Sequence, residues 1–330
     1  MFLEFYGLRE QPFGVTPDPR FIYMGPAHRE ALASLYYGID SGRGFMALIA
    51  RPGMGKTTLL FQLLEKFRGS ARTAFLFQTQ CNSREFMRFL LTELGSENHE
   101  QDFVRMHDEF NKLLLQEARA GRPLIVVVDE AQNLDPSVLE TIRLLSDFET
   151  PKAKLLQIIL AGQPELADKL ATRQLAQLRQ RISMLSGLAP LSEIDCSNYI
   201  QHRLRIAGYS GPSLFTPEAM LTIAQFTEGI PRSINNFCFN ALSLGCALRE
   251  RVIGASIVAE VISDLDIGKL LTEVPPRAPV DPENFAPAAK VNSAPYVAES
   301  HESSPLTSTQ ARAYIEQLSG QLKDWKRNLD

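Results

Sequence analysis

Along the first 190 residues, unbroken apolar runs alternate with segments of helical period. The runs FMALIA (45–50), TAFLFQT (73–79), LIVVV (124–128) and LLQIILAG (155–162) are strand-sized. Their apolar residues at successive positions predict strands buried on both faces. Between them the pattern predicts helices over 27–39, 56–67, 84–94, 101–120 and 136–147. Ser83 reads as the N-cap of the third helix, and Gly95 and Gly121 stand just past helix ends. A fifth strand is expected within 182–188. Strands alternating with helices imply a parallel sheet covered on both sides. The Pro- and aromatic-rich opening, residues 1–25, excludes a long helix there.

After Leu191 the strand-like runs stop. Helices are expected over 195–207, 217–228, 231–250 and 255–265, with Thr216–Pro217 as an N-cap and first-turn pair and Gly229 as a stop. This predicts a small all-helical domain over 191–268 following an α/β domain over 1–190. Seven prolines and few large apolar residues mark 269–307 as a disordered linker. Residues 308–330 regain helical spacing through Ala311, Ile315, Leu318, Leu322, Trp325 and Leu329, a coiled-coil-like seam of basic character. It reads either as a frayed amphipathic helix or as a docking helix for a protein partner or a membrane surface.

Composition narrows the function classes. A formal charge of −4 and a pI of 5.8 argue against a chain that blankets nucleic acid with positive charge. A local basic stripe for DNA stays open. Four cysteines without CxxC spacing and five histidines without HExxH suggest reduced core thiols and no dedicated metal centre. No run approaches the roughly 18 apolar residues of a membrane span, and the N-terminus is no signal peptide. A soluble, cytoplasmic protein is expected.

The chemistry concentrates in two segments. In ALIARPGMGKTT, 47–58, an apolar strand runs into a glycine-rich loop and then an apolar helix. Glycines let backbone N–H groups converge on phosphate oxygens, and the helix N-terminus favours the same anion. The cradle would be Pro52, Gly53, Met54, Gly55, Lys56, Thr57 and Thr58. Lys56 would reach the β- and γ-phosphates and Thr57 would place its hydroxyl on Mg²⁺. Ala50 stands where the pattern usually opens with glycine, and a small side chain at the strand exit suffices. In LIVVVDEAQ, 124–132, the buried strand delivers two acids at its C-terminal edge, where open α/β sheets bind ligands. Asp129 would hold Mg²⁺ and Glu130 would act as general base on water, which favours hydrolysis of ATP over a passive nucleotide switch.

Three further pieces complete a pattern: LLQIILAGQPEL with strand-end Gln163, LRQRI at 178–182, and GIPRSIN at 229–235. Together with the two segments above they resemble the AAA+ ATPases. The wording of YGLREQPFGVTPDPRFIY, HREALASLYYGI, DEAQNL and LAGQPEL is similar to the general secretion pathway A (ExeA) family, which is related to the ATPases of Tn7- and Mu-like transposition. The resemblance covers residues 1–267. It implies a three-layer α/β/α P-loop fold with a C-terminal helical lid, and it makes the two chemical segments Walker A and Walker B. It also implies Gln163 as sensor 1, Arg181 (or Arg179) as an arginine finger acting on a neighbouring subunit, Arg232 as sensor 2, and Tyr23 and His28 near the adenine. The expected activity is Mg-ATP hydrolysis by a homo-oligomer, coupled to a partner in envelope assembly or export. The alternatives are a DNA-associated ATPase of the transposition type and a nucleotide-gated scaffold with little turnover.

Overall fold

In the computed structural model the described residues are 2–272 apart from 17, 78–79, 97–101 and 149–153, with side chains described to residue 265. The linker and terminal helix expected beyond lie outside them. Strands β1 (Phe45–Ile49), β2 (Arg72–Leu76), β3 (Leu124–Val128), β4 (Leu156–Gly162) and β5 (Met184–Gly187) form one sheet in the order β2-β3-β4-β1-β5. Every pairing is parallel. All residues of β3 and β4 are buried, as their apolar runs require. Gln157, the polar exception in β4, spends its amide on the backbone of the Gly44 turn, accepting from Gly44 N at 2.8 Å.

Twelve α-helices accompany the strands among the described residues: α1 (Phe2–Tyr6), α2 (Pro26–Asp40), α3 (Lys56–Lys66), α4 (Ser83–Glu93), α5 (Phe103–Arg119), α6 (Pro136–Leu145), α7 (Pro164–Ala171), α8 (Ala176–Arg181), α9 (Glu193–Ile206), α10 (Pro217–Phe226), α11 (Pro231–Ala247) and α12 (Ala255–Thr272). The two-residue period of a strand sorts the core. Val126 and Val128 face the cluster built by α4 to α8, while Ile125 and Val127 face the cluster built by α2 and α3. This is the three-layer α/β/α arrangement.

Two local expectations change. The N-cap of α4 is Asn82, not Ser83: Asn82 accepts from the backbone of Arg84 and Glu85, and Glu85 returns the bond to Asn82 N in a capping box. Ser83 is the first helical residue and instead donates to Ser137 O. The opening segment, grouped by sequence with the sheet domain, places its large side chains elsewhere. Tyr6, Leu8, Phe13 and Phe21 belong to the hydrophobic cluster of α9 to α12. Arg9 N donates to Ala207 O at 2.8 Å and Tyr6 Oη to Glu250 O at 3.0 Å. Prolines erase any period in this segment, so its aromatics follow the nearest large apolar surface, which the helices supply. Among its described residues only Ile22 and Met24 lean on the α2–α3 cluster.

The chain crosses into the helical bundle at Leu191, which is tied to the turn after α10. Leu191 N donates to Gly229 O at 2.9 Å. Gly229 has φ of +67°, and a Cβ there would lie 2.1 Å from the Leu191 carbonyl oxygen. Gly229→Ala is therefore expected to destabilise the protein by about 2 kcal/mol or more. A urea midpoint lowered at unchanged slope would show it; an unmoved midpoint would mean this joint yields freely.

Candidate functional site

The C-terminal ends of β1, β3 and β4 open into one cleft. Its lining includes Pro52 to Thr58, Glu130, Gln163 and Arg232, together with the opening segment and α9. The phosphate-binding loop is built as its glycines require. Gly53 and Gly55 have φ of +80° and +85°, the left-handed region that favours glycine, and Lys56 starts α3 directly behind them. Ala50 is buried, and its carbonyl receives Lys56 Nζ at 3.0 Å, with Arg51 O at 3.4 Å. Burial pushes the Lys56 ammonium down from its ordinary range, a pull that Glu130 and Asp129 partly offset.

Thr57 Oγ1 donates to Asp129 Oδ2 at 2.5 Å. Asp129 is 2% exposed, and burial pushes its carboxyl up, opposed by the bonds from Thr57 and from Glu130 N. A buried carboxylate beside a hydroxyl is a hard oxygen set of the kind that suits Mg²⁺. Thr57 and Asp129 are the residues that could hold it.

Glu130 has φ of +52°, uncommon for a residue with a side chain. That kink turns it out of the strand direction, and its Oε2 accepts from Gln132 Nε2 at 2.6 Å and Gln163 Nε2 at 3.0 Å. Gln163 occupies the N-cap position of α7 without capping it, which leaves its amide for Glu130. Gln163 N in turn donates to Gln132 Oε1 at 3.1 Å. β4 lies between β1 and β3, so Gln163 at its end faces both the loop and the acids.

Arg232 joins the cleft from α11. Its backbone N donates to Gly53 O at 3.1 Å, and a Cβ on Gly53 would meet Arg232 Cβ at 2.7 Å. The helical bundle thus rests directly on the phosphate-binding loop. His28 packs beneath the same loop, donating from Nε2 to Met54 O at 2.9 Å, with burial pushing its imidazole down from 6.5. Tyr23 lines the cleft and donates to Asp195 Oδ1 at 2.9 Å. The two remaining arginines stay away. Arg181 pairs with Asp147, and Arg179 donates to Ala171 O at 3.2 Å.

Sequence reasoning missed Gln132, which DEAQ contains but whose role depends on the kink at Glu130. It also missed Tyr199, Arg203 and Asn235 in the cleft wall. Asn235 alone had a signal, standing three residues after Arg232 on one helix face.

Residues 39–170 match the model of the AAA domain family. The chain carries an AAA domain. Over 243 residues it is 40% identical to the General secretion pathway protein A of Aeromonas hydrophila, covering 73% of this chain and 44% of that protein. It thus spans less than half of that relative's length. Among solved structures, the Aeropyrum pernix ORC2 protein superposes with a TM-score of 0.59 at 15% identity, covering 77% of this chain and 71% of that one. Cdc6p from Pyrobaculum aerophilum gives 0.58 at 19% identity, covering 76% and 71%. These two likenesses establish the α/β P-loop fold of the AAA domain. Among the described residues no helix is long and apolar enough to cross a membrane.

Proposed function

We propose that the cleft binds Mg-ATP and hydrolyses it, in an oligomer where Arg181 of one subunit completes the site of the next. The observation that carries this reading is the Glu130 carboxylate, bent out of its strand and gripped by the amides of Gln163 and Gln132 beside the Asp129–Thr57 pair. A water seated against Glu130 can give up a proton as its oxygen attacks the γ-phosphorus. The bond to the β–γ bridging oxygen breaks and ADP leaves. Thr57 and Asp129 would hold Mg²⁺, which would supply positive charge against the charge developing on the phosphates. Lys56 leaves the Ala50 and Arg51 carbonyls for the phosphates, and Gln163 and Gln132 hold the base in line. Arg232 reports the γ-phosphate to the bundle because its own backbone sits on Gly53.

Coupling to an export or envelope-assembly partner is supported by the likeness to a protein named for general secretion, and residues 308–330 would serve as its docking segment. Arg181 is held by Asp147 within its own chain, and a neighbour's phosphate would compete for it. The test is a mixing experiment. Arg181→Ala and Glu130→Gln proteins are each expected to be inactive. Their mixture should recover phosphate release, because some interfaces then combine an intact Glu130 with an intact Arg181. A mixture as inactive as its parents would overturn the shared site, and full activity of Arg181→Ala alone would remove that arginine from the chemistry.

A further inference from the structure

A guanidinium is buried in the wall of the cleft. Arg203, on α9, is 9% exposed and lines the cavity, and among the described residues no carboxylate pairs with it. Its Nε donates to Pro12 O at 2.5 Å and its Nη1 to Tyr199 Oη at 3.1 Å. The guanidinium carbon lies 4.9 Å from the Phe21 ring centroid and 5.6 Å from that of Tyr199. Tyr199 Oη donates to Asn235 Oδ1 at 2.8 Å, and Asn235 Nδ2 faces Gly14 O at 3.5 Å.

A cation buried among neutral partners is a poor way to gain stability, since apolar side chains of similar volume often do as well or better. The aromatic faces return part of the desolvation cost. What the guanidinium does supply is position. Its shortest bond ends on the Pro12 carbonyl of the opening segment, and the Asn235 amide reaches the Gly14 carbonyl of the same segment. The residues that follow, Gly14, Val15, Thr16 and Asp18, line the cleft. Val15 is 70% exposed there, an apolar surface turned to the cavity. α11 spans both ends of the cleft, with Arg232 beside the phosphate-binding loop and Asn235 one turn further on, beside this strap.

The geometry points to Arg203, Tyr199 and Asn235 as a clasp that positions the strap from Pro12 to Thr16 as the wall for the nucleoside end of the ligand. The inference rests on the reading of the cleft as a nucleoside triphosphate site. The three are positioning residues: they act through the strap and leave the phosphate end to the loop. A heterocycle would cover Val15, whereas a bare polyphosphate would not reach it.

The test compares ATP with inorganic triphosphate, each with Mg²⁺, by titration calorimetry on the full chain. Arg203→Met is expected to weaken ATP binding about tenfold, the loss of one or two positioned bonds, and to leave triphosphate affinity unchanged. Arg203→Lys should restore part of the loss. Tyr199→Phe keeps the ring and removes the link to Asn235, so it gives the same selective loss in a protein that retains its packing. Equal loss of ATP and triphosphate would reduce the clasp to a structural role and overturn the proposal, as would ATP affinity unchanged in both variants. Wild-type protein that binds neither probe would overturn the nucleotide reading and the clasp with it.

Discussion

Glu130→Gln protein is expected to bind ATP with nearly wild-type affinity and to release phosphate about 10²–10⁴-fold more slowly, the usual contribution of a positioned general base. The substitution keeps the size of the side chain and the left-handed turn that aims it. It also keeps an oxygen to accept from Gln132 or Gln163, which now bond at 2.6 and 3.0 Å. It leaves Lys56, Thr57 and Asp129 in place, so the contacts to phosphate survive. Only the lone pair that takes the water proton is lost. Binding of a fluorescent ATP analogue and a phosphate-release assay on the same sample separate the two effects. Turnover close to wild type would place the base elsewhere, and a parallel loss of binding would give Glu130 a structural role.

Lys56→Ala should act on the other half of the cycle, weakening ATP by about 10²-fold, the scale of one to two charge-assisted hydrogen bonds. The loop keeps its shape because Gly53 and Gly55 set it, but the cation proposed to bridge the phosphates is gone. A second signature follows from proton linkage. Burial lowers the Lys56 ammonium from 10.5, and bound phosphates would raise it again. Between those two values binding takes up a proton, so affinity falls as pH rises through that window. The same shift has the opposite sign for folding: there the unfolded chain carries more protons, and stability without nucleotide rises with pH through the same window. Calorimetry in buffers of different ionisation heat should detect the uptake in wild type and not in Lys56→Ala. Uptake persisting in the variant would assign it to another group.

The sheet and the two acids at the end of β3 were legible because their causes are local. A strand buried on both faces must be apolar throughout, and LIVVV followed by Asp129 and Glu130 states both the strand and its polar end. Thr216 and Pro217 start α10 as read, with Thr216 Oγ1 accepting from Ala219 N at 3.2 Å. The cap of α4 falls one residue before the expected Ser83, and Glu85, three residues after Asn82, was the local signal for it. The cleft wall was not legible. Arg203 meets Pro12 across 191 residues, and no period connects them. Gln132 becomes a partner of Glu130 only because the backbone turns left-handed between strand and helix, a conformation that the residue type does not advertise.

The placement of the opening segment has a consequence for how the chain comes into being. Tyr6 finds its partner 244 residues later, at Glu250. At about 5–20 residues per second of synthesis, the N-terminal aromatics wait roughly 12–50 s for the surface that shelters them. The sheet can close in that interval, since its last strand ends at Gly187. The cleft cannot, because one wall precedes the sheet in the chain and its anchors, Arg203, Tyr199 and Asn235, follow it. A ribosome stalled before α9 would hold a finished glycine-rich loop with no anchored strap, so on the proposed reading competence to hold nucleotide would mark a chain translated into its helical bundle.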